Sequence, residues 1–441
     1  MTQILNMQKY NAYKDSGVEW LGEIPKHWET IIVKRLGKTK AGGTPSTNIL
    51  KYWDGEIPWL PSGKLQNCEI VSADKFITES GLKYSATKLI KPNTVLIALT
   101  GATCANIGYL KFEACANQSV IAIEENKGVD SKFLYYALIN ERLQILLSQT
   151  GGAQAGINET DVNNIILPTP STTEQTAIAA FLDRKTAQID QAIGIKQKQI
   201  ELLKERRQIL IHKAVTRGLN PNAKLKDSGV EWIGEIPEGW EVKRLKYILK
   251  SQGRIGFKGY TTSDLVGEGE GALTLGATHL DWEGNIHLSQ PVFISWKKYY
   301  ESPEIMVNKN DIIIVQRGST CGKVALINMD LGPTTINPSL VLLKEITEFP
   351  EYVFLGIKVV LNGILNLVSN TAIPMLTQFQ INNIEIAIPT RKEQESIVLH
   401  INNYTEVIDS AISLKEQEIE KLKEYKATLI NSAVTGKIKV C

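Results

Sequence analysis

One stretch of this 441-residue chain occurs twice, and that constrains the fold more than any other feature. Glu174 to Thr216 falls on Glu393 to Thr435 after a shift of about 219 positions, without a gap. Ile178, Leu182, Ile189, Ile193, Ile200, Leu203 and Leu210 then meet Ile397, Ile401, Ile408, Ile412, Ile419, Leu422 and Leu429. Steps of three, four and seven draw one apolar seam along a helix. Neither copy holds a proline, and Gly194 is the only glycine. A helix of about 42 residues spans roughly 63 Å, longer than an ordinary domain needs. Two long helices with one seam pattern most simply bury those seams against each other.

The duplication reaches beyond the helices. Asp15-Ser16-Gly17-Val18-Glu19-Trp20-Leu21-Gly22-Glu23-Ile24-Pro25, with Trp28 behind it, returns as Asp227-Ser228-Gly229-Val230-Glu231-Trp232-Ile233-Gly234-Glu235-Ile236-Pro237, with Trp240. These boxes read as turns whose paired tryptophans pack against the domain. Each half is thus an opening box, a variable body and a long helix: a duplicated domain, not a solenoid. The bodies read as mostly β, with short β-branched runs broken by Gly, Asn and Pro. Residues 95–99 and 312–315 are such runs, each followed by a turn ending in Cys104 or Cys321 and later by Asn117-Gln118-Ser119-Val120 or Asn337-Pro338-Ser339-Leu340. Residues 133–148 and 352–368 read as body helices, and Pro168 and Pro389 as the approach to the long helices.

Composition excludes several classes. Nothing approaches eighteen consecutive apolar residues, and no apolar core opens the chain, so neither a membrane span nor a secretory signal is expected. Five cysteines without a C-x-x-C pair suit reduced thiols and a cytoplasmic location. A net charge of +2 is too small to demonstrate a polyanion partner. Five scattered histidines have no metal-ligand spacing, and no catalytic trio is suggested. Gly318 to Lys323 approaches a phosphate loop, but three residues separate its glycines and Val324 follows the lysine, so a turn after a strand fits better. Asn337-Pro338-Ser339-Leu340 lacks the second proline and the aromatic of the amino-methyltransferase loop. No G-x-G-x-x-G follows a strand in a βαβ frame.

The paired boxes at 15–25 and 227–237, the Glu-Gln start of each long helix (174–175, 393–394), Gly42-Gly43-Thr44-Pro45-Ser46 and Asp54-Gly55-Glu56-Ile57-Pro58-Trp59 carry a resemblance. From about residue 13 to 438 the chain resembles the specificity subunit of type I restriction-modification systems. That implies an α+β fold: two β-rich α/β target-recognition domains related by a pseudo-two-fold and joined by two long antiparallel coiled-coil helices. The expected domains are 1–171 and 218–390, with helices at 172–217 and 391–441. The resemblance also implies a non-catalytic DNA-specificity role on a split double-stranded site. Its partners would be two methyltransferase subunits and restriction/translocase subunits, which would bind S-adenosylmethionine, ATP and Mg, leaving no cofactor in this chain. One departure is local: the second half has Gly253-Arg254-Ile255-Gly256-Phe257-Lys258 where the first has its Gly-Gly-Thr-Pro-Ser run.

Polar loop residues are then candidate DNA contacts. They are Lys40, Thr44, Ser46, Lys51, Ser62, Lys64, Thr103 and Asn106 in the first body. In the second they are Arg254, Lys258, Tyr260, Arg317, Ser319, Thr320 and Lys323. Lys and Arg hold phosphates; Arg, Asn and Ser read base edges. Gly151-Gly152-Ala153-Gln154-Ala155-Gly156 reads as a plain turn. Two other classes stay open on the residues alone: a coiled-coil scaffold, and a nucleotide-binding enzyme using the 318–323 loop.

Overall fold

A computed structural model describes residues 7–124, 128–147, 156–254, 259–368 and 375–440. Packing divides the chain into two compact units, Met1–Gln197 with Lys415–Cys441, and Lys198–Leu414. Each therefore holds one body and one half of each long helix.

In the first unit the main sheet runs in the order Lys38–Ala41, Val120–Glu124, Thr94–Ala98, Ile107–Leu110, Cys68–Ile70. Its central strand, Thr94–Ala98, is buried throughout, as a strand covered on both faces must be. Period two sorts the run between two cores. Val95 and Ile97 join Ile121 and Ile123 against Phe133, Leu134 and Leu138, while Leu96 and Ala98 join Val120 and Ala122 on the other face. A smaller sheet pairs Trp53–Leu60 antiparallel with Lys75–Ile77 and parallel with Cys115–Ala116. The first body's helices are α1 (Glu79–Lys83), α2 (Ser131–Leu147) and α3 (Glu159–Asn163), and the long α4 (Thr172–Arg217) follows them out of the unit.

The second unit repeats this plan. Lys250–Gly253, Leu340–Lys344, Ile312–Val315 and Val324–Leu326 form its main sheet. Gly271–Leu275 pairs antiparallel with Phe293–Ser295 and parallel with Thr334–Ile336. Helices α5 (Trp296–Tyr300), α6 (Pro350–Val368), α7 (Gln378–Asn382) and α8 (Arg391–Val434) follow in the same order as α1 to α4. The two longer body helices fall close to 133–148 and 352–368. The four short ones were not legible, because five residues hold too little periodicity.

The long helices pack antiparallel within each unit. Asp190 bonds Lys426 at 2.7 Å and Lys196 bonds Glu418 at 2.7 Å in the first, and Arg207 bonds Asp409 at 2.7 Å in the second. Numbers rise on one helix as they fall on the other. Ile178, Leu182 and Ile189 share a core with Leu429, Ile430 and Ala433, while Ala214 and Val215 share one with Ile397 and Ile401. Ile408, Ile412 and Ile419 are buried; Ile193, Ile200, Leu203, Leu210 and Leu422 are half-buried.

The Glu-Gln start of each helix has a local reason. Ser171 and Thr390 cap the helices, and each donates its backbone N–H at 3.2 Å to the carboxylate three residues on, Glu174 or Glu393. The glutamines that follow are buried and tie the helix to its body. Gln175 accepts from the Asp130 N–H at 2.7 Å and donates to Pro170 O at 2.9 Å; Gln394 accepts from the Phe349 N–H at 2.9 Å and donates to Pro389 O at 3.0 Å.

Each opening box is a hairpin, Tyr13–Asp15 with Glu23–Pro25 and Leu225–Asp227 with Glu235–Pro237. Gly17 and Gly229 stand at φ +71° and +73°, each donating its N–H at 2.9 Å to the preceding aspartate (Asp15 or Asp227), which explains why the words repeat. The tryptophans do not behave alike. Trp28 and Trp240 are buried, whereas Trp20 is 47% exposed and Trp232 is half-buried against the core of its unit, so the later tryptophan of each box is the deeper anchor. Pro168 also differs from expectation. It lies within the strand Ile166–Thr169, in a two-stranded ladder with Glu29–Ile32, where an edge position tolerates a missing N–H.

Glu174 links box to helix in the first unit, with Oε1 at 3.0 Å from His27 Nε2 and accepting from Trp28 Nε1 at 3.3 Å. Burial alone would raise its pKa, but hydrogen bonds from His27, Ser171 and Trp28 outweigh this and hold it down at about 2. A carboxylate depressed below its unfolded value of about 4.3 stabilises fully above that pH and loses the contribution as pH falls toward 2. Glu174→Gln is therefore expected to flatten the fall in stability between about pH 4.5 and 2, and to cost on the order of 2 kcal/mol at neutral pH. Denaturant unfolding across that range measures both.

Candidate nucleic-acid interface

In each body the turn after the central strand gathers segments distant in sequence. Leu99 donates its N–H to Ser119 O at 2.8 Å, and Ile157 donates to Leu99 O at 2.9 Å, so Thr100 faces Gly156 across a β-bridge. Thr100 Oγ1 donates to Ser119 Oγ at 2.9 Å, and Thr44 bonds Gln118. The second body reproduces this frame. Gln316 donates to Ser339 O at 2.8 Å, Leu376 donates to Gln316 O at 2.9 Å, and Arg317 faces Met375. The cysteine that ends each turn points inward, with Cys104 Sγ at 3.0 Å from Leu99 O and Cys321 Sγ at 3.3 Å from Gln316 O.

Around this cluster the candidate residues divide. In the first body, Asn106 donates to Leu65 O at 2.8 Å and accepts from Arg142 Nε at 3.1 Å, which fastens the Ser62–Lys64 turn beside Thr103. Asn106 is thus a clip whose amide is already engaged. Lys40 sits in the strand Lys38–Ala41, 3.0 Å from Glu124 Oε2, and also donates to Leu89 O at 3.2 Å. Lys64 pairs with Asp74 at 2.7 Å. Both lysines are paired within the fold, so a phosphate contact by either would exchange one ion pair for another. Ser46 and Lys51 are exposed on the smaller-sheet side, where Ser46 O accepts from Trp53 Nε1 at 3.1 Å and Lys51 O accepts from Thr78 Oγ1 at 2.8 Å. Thr44 is exposed, and Ser62 and Thr103 are half-buried.

In the second body Arg254 is the clearest correction. It is buried, donating to Ile336 O and Thr335 Oγ1 at 3.1 Å each, with its guanidinium 5.5 Å from the ring centre of Tyr260. Burial lowers its pKa, and the residue braces strand to loop instead of reaching a ligand. Tyr260 is half-buried over it. Lys323 donates to Leu280 O at 2.6 Å and lies 5.8 Å from the Trp282 ring centre, so it ties the turn to the 280–282 loop. The turn itself closes by Cys321 N–H to Gly318 O at 3.0 Å and Gly322 N–H to Val315 O at 2.8 Å, as a turn after a strand does. Asn337 Oδ1 accepts from the Ser339 N–H at 2.9 Å, so its amide serves its own turn. Arg317 and Ser319 are exposed and Thr320 is half-buried. Lys258, with residues 255–257 and 151–155, lies outside the described residues.

Sequence reasoning missed Thr100, Gln118 and Ser119 as members of the cluster, Met375 opposite Arg317, and Phe379 on the helix α7 that follows it. Laying the two halves over each other at the bridge would have found them.

The sequence matches the family described as "Type I restriction modification DNA specificity domain" over residues 25–205 and 280–424. It is 26% identical over 431 residues to the type I restriction enzyme MjaIX specificity subunit of Methanocaldococcus jannaschii, covering 95% of each chain. It is 29% identical over 458 residues to the putative MjaX specificity subunit of the same organism, covering 100% of each. A solved structure described as "Structural basis underlying complex assembly and conformational transition of the type I R-M system" shares the fold at a TM-score of 0.71 and 16% identity, covering 93% of this chain and 98% of that one. The two bodies are like frames bearing unlike polar surfaces, and with a family match over most of its length the chain belongs to the type I restriction-modification DNA specificity family: it is a DNA sequence-specificity subunit.

Proposed function

We propose that the chain reads a split double-stranded DNA target, one half-site per body, and brings two methyltransferase subunits and restriction/translocase subunits to it in the cytoplasm. The observation that carries this is the likeness of the two frames against the unlikeness of what they expose. The order of the four shared main-sheet strands, hairpin register and helix starts agree between the units, while Thr100 and Gly156 give way to Arg317 and Met375 at the same bridge. Buried positions set the frame, and exposed ones are free to differ with the bases read. S-adenosylmethionine, ATP and Mg then belong to the partner subunits. In support, Lys323 and Asn337, the side chains nearest to nucleotide or methyl-transfer motifs, are engaged within the fold. No helix among the described residues is long and apolar enough to cross a membrane.

The purified chain, incubated with labelled S-adenosylmethionine and DNA, is expected to transfer no methyl group. Adding the methyltransferase subunits is expected to restore transfer at a split motif. Transfer by the pure chain would overturn the assignment of the chemistry to its partners.

A further inference from the structure

Where the second body repeats the frame of the first, its exposed side chains change character together. Ile157 and Leu376, Val162 and Ile381, and Cys104 and Cys321 occupy matching buried positions. Helices α3 and α7 start alike, each with a capping box, on Asn158 with Asp161 and on Thr377 with Gln380. On this common backbone Thr100, Gly156 and Thr160 of the first body become Arg317, Met375 and Phe379 of the second. Thr100 and Thr160 are small, polar and exposed. Met375 is 58% exposed and Phe379 77% exposed, on a segment whose backbone is fixed by the bridge and the cap. Arg317 is exposed and makes no ion pair among the described residues, whereas Lys40, Lys64 and Arg254 are engaged.

A core explains none of the three side chains, and folding gains little from an exposed phenylalanine and methionine beside an arginine. Base-pair edges suit them. A guanidinium fork matches the acceptor pair of guanine, and apolar side chains meet the methyl of thymine. We propose that Arg317, Met375 and Phe379 form the specificity-determining patch of the second body, contacting base edges of its half-site in double-stranded DNA. The patch rests on the half-site reading above, and it names the residues that set one half-motif. The bridge at Arg317 and the first turn of α7 present them from rigid backbone, which base readout requires.

The test uses the complex assembled with methyltransferase subunits and a DNA library randomised through both half-sites. Arg317→Ala, Met375→Ala and Phe379→Ala are each expected to lose about tenfold discrimination at one or two base pairs of one half-motif. The other half-motif and the unfolding profile of the chain stay unchanged. An unaltered motif with affinity within twofold overturns the patch. So does uniform weakening on all sequences, which marks a phosphate contact, or a shift in the unfolding profile, which marks a packing role. A wild-type complex that methylates no split motif overturns the half-site reading itself, a result separable from all of these.

Discussion

Replacing residues 40–165 with the body of a relative that has a different target is expected to change one half of the recognised motif and leave the other half intact. The graft keeps what the first unit needs to fold around it. Trp28, Glu174 and Gln175 remain, and the helix core of Ile178, Leu182, Leu429 and Ile430 lies outside the exchanged residues. The cluster that gathers Thr44, Thr100, Gln118, Ser119 and Gly156 moves as one piece, because its members bond to each other. Each base pair read differently shifts affinity by about 1–3 kcal/mol, so a half-motif of several base pairs switches target completely. Sequencing of methylated DNA from cells carrying the graft checks this. A change in both halves would mean that the bodies do not read independently.

A second large effect is expected in the seam. Leu182 is fully buried in the core that holds Ile178, Leu429 and Ile430, so Leu182→Asp places an unpaired carboxylate there. Such a change is expected to cost more than about 4 kcal/mol, enough to unfold a typical unit. Ile195→Asp, at a position 53% exposed on the same helix, is expected to change stability by less than about 0.5 kcal/mol. Denaturant unfolding of the two variants separates them, and equal losses would show that the seam does not carry the packing. The charged pairs beside it, such as Asp190–Lys426, fix register more than they add stability, since half-exposed ion pairs contribute about 1 kcal/mol or less.

The seam was legible because apolar residues at steps of three, four and seven can share a face only on a helix. The central strands were legible for a similar reason, since Val95 to Ala98 and Ile312 to Val315 are continuous apolar runs. Which residues reach a ligand was not legible, because that depends on partners far away in the chain. Lys40 meets Glu124, Lys64 meets Asp74, and Arg254 meets Thr335, and nothing in local context announces such pairs. Gly42 and Gly43 belong to the run that carried the family resemblance, and their reason is close packing. A Cβ on Gly42 would lie 2.1 Å from Asn117 O, and one on Gly43 2.4 Å from Thr87 N. Phe379 was not legible as a surface residue, because its exposure depends on how the short helix α7 sits on the body, which five residues do not announce.

The central claim is that this chain selects a split DNA sequence for methylation by its partners. Methylation mapping of host DNA with and without the chain tests it most directly. The account predicts a motif of two specified halves around an unspecified spacer, methylated in the parent and unmethylated at every copy in the deletion strain. An identical methylation pattern in both strains, or loss of a single continuous motif, would contradict it.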